Sequence, residues 1–207
     1  MFHHMPFSLS ASMAAFALAA SLSPGPVNLM ALNIGLKWGL RPALHHVTGA
    51  TCGFTLLLLL IGLGLRPLTQ WTPLMTAIRW GGVAFLLYLA WRLARDDGRL
   101  QCETRGSRGS FATGALMQWL NPKAWVASAA GMGAYTAGDL ALVGHFAAIF
   151  FVVCYLSVAS WAVMGTVLHR HLPDRKRVRW LNRGMALLLL ASAVTLGRMT
   201  FGDSGMG

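Results

Sequence analysis

Acidic side chains are scarce in this chain: six of 207 residues are Asp or Glu, against 17 Lys and Arg. Asp96, Asp97, Glu103, Asp139, Asp174 and Asp203 all fall in connecting segments, helix ends or the tail, and none lies within a hydrophobic run. A carboxylate cage for a cation and a carboxylate acid/base pair are therefore both excluded from those runs. Cysteine is as sparse, with Cys52, Cys102 and Cys154 odd in number and without paired spacing, which argues against a disulfide framework. We read Cys52 and Cys154 as packing residues inside helices and Cys102 as a thiol in a reducing cytoplasmic loop. The hydrophobic runs also lack His-x-x-x-His and any Cys/His grouping at ligand spacing. With neither a nucleophile beside a base nor a metal cluster, a membrane enzyme is not expected, and neither is a cofactor.

What is abundant is apolar surface. Hydrophobic residues make up 56% of the chain and charged ones only 11%, too lopsided for the core of a water-soluble protein of this length. Six windows, at about 7–36, 42–65, 73–94, 111–133, 140–168 and 178–199, are long enough to cross a hydrocarbon layer of about 30 Å, which takes roughly 20 helical residues. They are continuous and without alternating polarity, so a β-barrel is excluded. The expected fold is an all-α membrane protein of six transmembrane helices. One membrane domain accounts for residues 1–207, with no soluble module.

The net charge of +11 suggests nucleic-acid binding until its distribution is considered. Lys37 and Arg41 follow the first window. Arg92, Arg95, Arg99, Arg105 and Arg108 surround the connection near residues 95–110, and Arg170, Arg175, Lys176, Arg177, Arg179 and Arg183 surround the one between windows five and six. The alternate connections hold only Arg66, Arg79 and Arg198. By the positive-inside rule the basic loops are cytoplasmic and both termini lie outside, in the periplasm or extracellular space, as in a multi-pass protein of a bacterial inner membrane. The basic charge then reflects topology and attraction to lipid headgroups rather than a nucleic-acid partner. Trp38, Trp71, Trp80, Trp91 and Trp180 lie near expected helix ends, where amphipathic rings favour the interface. The first window carries small residues, Ala19, Ala20 and Ser21, but no Lys or Arg precedes it; it reads as a retained helix rather than a cleaved signal peptide.

Two windows are interrupted. Ser23-Pro24-Gly25-Pro26 breaks the first and Asn121-Pro122 the fourth, so the breaks occupy the first helix of each group of three. Because three is odd, the second group enters from the opposite side, giving two inverted three-helix repeats, about 7–94 and 111–200, joined by a cytoplasmic loop at about 95–110. Interrupted segments at corresponding positions point to a midplane binding site in secondary transporters. Pro24 and Pro26 lack backbone donors, and a second half-helix is expected after them with Ser23 as its cap. Its free N–H groups would carry the positive end of a helix dipole. Asn28, just beyond the break, is expected to hydrogen-bond a substrate, and Asn33 less directly.

Lys123 follows the second break directly. A lysine at mid-membrane costs about 2.5–3.5 kcal/mol and usually faces a cavity or a partner. With no acid in the hydrophobic runs, the missing partner is an anion, a carboxylate brought by a substrate. A basic substrate side chain would want an acid that is not there. Trp125 is the aromatic residue nearest Lys123 in sequence and is a candidate for the path, as are Trp119, Tyr155 and Trp161 with helix packing the competing role. His45 and His46 at the start of the second window, and His145 at the start of the fifth, are candidate proton relays or solvated interface residues; His169 and His171 read as surface.

Ser23-Pro24-Gly25-Pro26 with Asn28, the glycines Gly35, Gly39, Gly49 and Gly53, and Asn121-Pro122-Lys123 together resemble the LysE/RhtB family of amino-acid exporters. The similarity covers essentially the whole chain. It implies export of amino acids or close derivatives driven by the proton motive force, with the two broken helices forming the path. The segment after the second break reads Ala124-Trp125-Val126-Ala127-Ser128, where the family is often rich in phenylalanine; this Ala-rich version is similar to the branch associated with cysteine-like and neutral amino acids.

The substrate-binding set expected on these grounds is Pro24, Gly25, Pro26, Asn28, Asn121, Pro122, Lys123 and Trp125. The substrate carboxylate would sit by Lys123 and the half-helix after Pro26, while one repeat rocks against the other. Burial disfavours a charged lysine and a nearby anion favours it, so Lys123 would release a proton when the site empties. Expected partners are the amino-acid substrate, protons and membrane lipids. Glycines four residues apart also permit close helix approach and are compatible with a homodimer. A metal-ion transporter of a related six-helix family and a non-transporting assembly subunit are the competing readings. Lys123 would repel a cation, and an assembly subunit needs no matched breaks.

Overall fold

A computed structural model describes residues 7–65, 71–96, 110–171 and 175–202. Among them there is no strand. The helices are α1 (Phe7–Leu22), α2 (Pro26–Trp38), α3 (Leu40–Leu60, extended by a π-helical turn, Ile61–Leu65), α4 (Thr72–Ala94), α5 (Phe111–Trp119), α6 (Pro122–Tyr135), α7 (Leu140–His171) and α8 (Arg175–Gly202). The expectations for Arg66, Asp97, Arg99, Cys102, Glu103, Arg105, Arg108, Asp174 and Asp203 fall outside the described residues.

Both breaks are present. α1 and α2 meet at a bend of 62°; Gly25 is extended at φ −163°, and Pro26 opens α2 where its missing N–H costs nothing. α5 stops at Trp119 and α6 starts at Pro122, with the Asn121 side chain accepting from the Lys123 backbone N–H at 3.2 Å. Ser110 caps α5 in the same way, through the N–H of Thr113 at 3.1 Å. Ser23 does not take its expected role: the cap position of α2 is Gly25, with no side-chain hydrogen bond to the helix end.

Among the described residues three helices are individually long and apolar enough to cross a membrane, at Leu40–Gly64, Thr72–Ala94 and Leu140–His169, and the bent α1–α2 pair, counted as one span, is a fourth candidate. The short α5 and α6 and the charge-rich α8 fall outside that set. The protein is a multi-pass, all-helical membrane protein.

α7 is the central post, packed by α1, α2 and α3. α5 packs on α3, and α4 with α8 forms a pair at the side. Small residues set the closest approaches. A Cβ on Gly35 of α2 would run into the Ala162 carbonyl of α7, and one on Gly165 of α7 into Leu32 of α2. The same reciprocity joins α3 to α5, where Gly49 abuts Phe111 and Gly114 abuts the His46 carbonyl. Gly39 is different: nothing lies near it, but its φ of +84° makes the corner between α2 and α3, a conformation that favours glycine. So Gly49 and Gly53 are packing glycines, whereas Gly35 and Gly39 serve two separate purposes.

Candidate functional site

Breaking a helix inside a bilayer frees carbonyls that must find donors. At the end of α1 they find them in side chains. Ser23 Oγ donates to the Ala20 carbonyl at 3.3 Å, and Asn28 Nδ2 donates to the carbonyls of Ser21 at 2.8 Å and Ser23 at 2.9 Å. Trp161 Nε1 of α7 reaches the Leu22 carbonyl at 3.3 Å. At the second break Trp125 Nε1 donates to the Trp119 carbonyl at 2.9 Å, its ring edge-on to Trp119 at 6.1 Å. Trp119 Nε1 in turn donates to the Gly53 carbonyl. Trp119, Trp125 and Trp161 thus satisfy backbone, and both amide hydrogens of Asn28 are spent on α1.

Between the breaks lies a cavity of about 40 Å³, room for about three waters. Its wall includes Ser21, Ser23, Gly25, Pro26, Val27, Asn28, Gln118, Asn121, Lys123 and Cys154, closed on the apolar side by Phe54 and Phe150, which stack at 4.4 Å. Among the described residues no carboxylate lines it. The Lys123 ammonium donates to the Ser23 hydroxyl, joining the two breaks. Its side chain stands exposed at the cavity's edge rather than buried.

The two half-helices meet this cavity differently. The α6 end is capped by Asn121, whereas the α2 end carries no side-chain cap. Leu29 N–H already bonds to the Gly25 carbonyl, so the donors left open in the first turn of α2 are those of Val27 and Asn28, both cavity residues. An ammonium and an uncapped helix N-terminus therefore border one space, an arrangement that favours an anion.

Of the residues singled out from sequence, Gly25, Pro26, Asn28, Asn121 and Lys123 come together on this wall. Pro24 is exposed and off it, Pro122 is buried against Gly82 of α4, and Trp125 turns its ring towards Trp119. Asn33 donates to Asn182 of α8 at 3.0 Å and does not reach the cavity. Among the histidines, His46 is fully buried, not solvated; His145 meets Ser10 at 2.9 Å and His169 donates to the Leu36 carbonyl at 2.7 Å. Ser21, Gln118 and Cys154 are wall residues that sequence reasoning did not place there. Gln118 had a signal: it sits three residues before Asn121, a spacing that shares a helix face, and the two side chains lie 3.5 Å apart.

The chain matches the model of the LysE type translocator family over residues 18–200. It is also similar to proteins named cysteine/O-acetylserine efflux protein. Those of Escherichia coli O139:H28 and of strain K12 are 24% identical over 189 residues, 87% of this chain and 93% of theirs. That of Shigella flexneri serotype 5b is 25% identical over the same shares. No solved structure matches. With broken helices, an ammonium at their meeting point and a family match over nearly its whole length, this chain belongs to the LysE-type translocators, and it is a transporter rather than an enzyme.

Proposed function

We propose that this protein exports amino acids or close derivatives, neutral or cysteine-like ones in preference to basic ones, across a bacterial inner membrane. One observation carries the reading: the Lys123 ammonium and the uncapped N-terminus of α2 face a common cavity without a carboxylate. A substrate carboxylate supplies the absent negative charge. It takes the Lys123 ammonium from Ser23 and accepts from the N–H groups of Val27 and Asn28. The donors of Asn28 are already engaged, so its Oδ1 is an acceptor suited to the substrate ammonium rather than to the carboxylate. The relatives' printed names favour a small polar side chain, and Ser21, Gln118 and Cys154 on the wall suit one.

A cavity of about 40 Å³ is too small for an amino acid, so its walls must move apart to admit one. Access alternates as the two breaks separate. The architecture behind it is six spans in two inverted repeats, α1–α4 and α5–α8. Supporting this, the broken first span of each half packs on the second span of the other half, α1 and α2 on α7, and α5 and α6 on α3. Export is coupled to proton entry, as the family resemblance implies.

The test is efflux of labelled cysteine, O-acetylserine, other neutral amino acids and lysine from proteoliposomes, with and without a proton gradient. Loss of a charge-assisted contact of about 1.5–3 kcal/mol predicts roughly a ten- to hundredfold fall in efflux for Lys123→Ala. A Lys123→Ala protein that works at the wild-type rate with unchanged proton dependence sinks the proposal.

A further inference from the structure

The side of the molecule away from the cavity carries a second binding surface. α4 and α8 form a groove of about 560 Å³. Ala90 and Ala186 make its buried floor, and Leu87, Leu187 and Leu190 its exposed walls. At one end the groove is bounded by Trp91 and Trp180, 52% and 70% exposed. Each indole carries a guanidinium: Arg95 lies 4.6 Å from the Trp91 ring centre and Arg183 5.5 Å from that of Trp180. Both arginines are exposed, and among the described residues neither meets a carboxylate. We propose that this groove binds one anionic phospholipid, its acyl chain along the Leu and Ala face and its phosphate at the end where Arg183 lines the groove and Arg95 stands on Trp91.

Three features favour that occupant. The indoles sit where apolar groove gives way to charge, the position such rings take at a membrane interface. Basic side chains at the end of an apolar groove between membrane helices suit a phosphate headgroup; the groove between α1 and α7, lined by Ala14, Leu18, Leu22, Val153 and Leu156, has no such side chain. A second copy of the chain is disfavoured, because a two-fold contact sets a patch against itself and would gather four guanidinium groups in one interface with no carboxylate among the described residues of the groove.

Delipidated protein in neutral detergent, titrated with phosphatidylglycerol or phosphatidylcholine of equal chain length and followed by native mass spectrometry, tests this. Wild type should hold one phosphatidylglycerol in preference. Arg95→Gln or Arg183→Gln should weaken that lipid about fivefold each, and the pair about 30-fold, leaving phosphatidylcholine unchanged. Equal wild-type affinity for both lipids overturns the proposal without any variant needing to fold. It is overturned equally if the preference survives the double change, if glycerol phosphate binds as well as the whole lipid, or if wild type is a dimer that only Leu187→Arg splits into lipid-binding monomers.

Discussion

At the level of single residues, side chains with the look of substrate ligands divide into those that serve the cavity and those that serve the backbone. Trp125 belongs to the second group, since its indole N–H holds the carbonyl of Trp119. Trp125→Phe keeps the ring and removes the donor. An orphaned acceptor costs about 1–3 kcal/mol, and at about 2–4 °C per kcal/mol for a chain of this size the melting temperature should fall by several degrees. Efflux per folded molecule should hold. A fall in efflux to the Lys123→Ala level with no change in melting would instead assign the ring to the path. Lys123, Asn121 and Pro26 were legible in sequence because charge and missing donors have local consequences, whereas Pro24 and Pro122 mark the breaks without lining the cavity. The duties of Asn28 and Trp125 were not, because their partners are carbonyls exposed only once the chain has bent.

Among the helices, closeness is set by glycine on facing surfaces. Gly165 seats against Leu32, and Gly35 against Ala162. Gly165→Val forces α2 and α7 apart at a cost of about 1–3 kcal/mol or more. Lower melting and lower yield are expected, measured by fluorescence-detected gel filtration. Gly184 of α8 has nothing within 4 Å of a built Cβ, so Gly184→Ala should stay within about 0.5 kcal/mol of wild type. Equal damage from both changes would remove the packing argument. The lengths of the hydrophobic windows and the placement of proline gave both breaks and most helix limits in advance. They did not separate Gly35 from Gly39, because spacing registers small size but not whether a neighbour or a φ of +84° requires it.

For the molecule as a whole, the asymmetry of charge predicts an orientation. Leu140 at the start of α7 and Arg177 at the start of α8 are both exposed, and the charge rule sets them on opposite sides of the membrane. In a background with Cys52, Cys102 and Cys154 replaced by Ser, Leu140→Cys should label with an impermeant maleimide in intact cells, and Arg177→Cys only after permeabilisation. The reverse pattern would invert the topology. The reciprocal seating of α2 on α7 and of α5 on α3 also bears on biogenesis. α2 packs most on α7 and α5 most on α3, so the packing that joins early helices to late ones forms only after the later helices have been made. Two separately translated halves, given time together in one bilayer, should therefore find each other and assemble, read as co-purification of the untagged half with a tagged one.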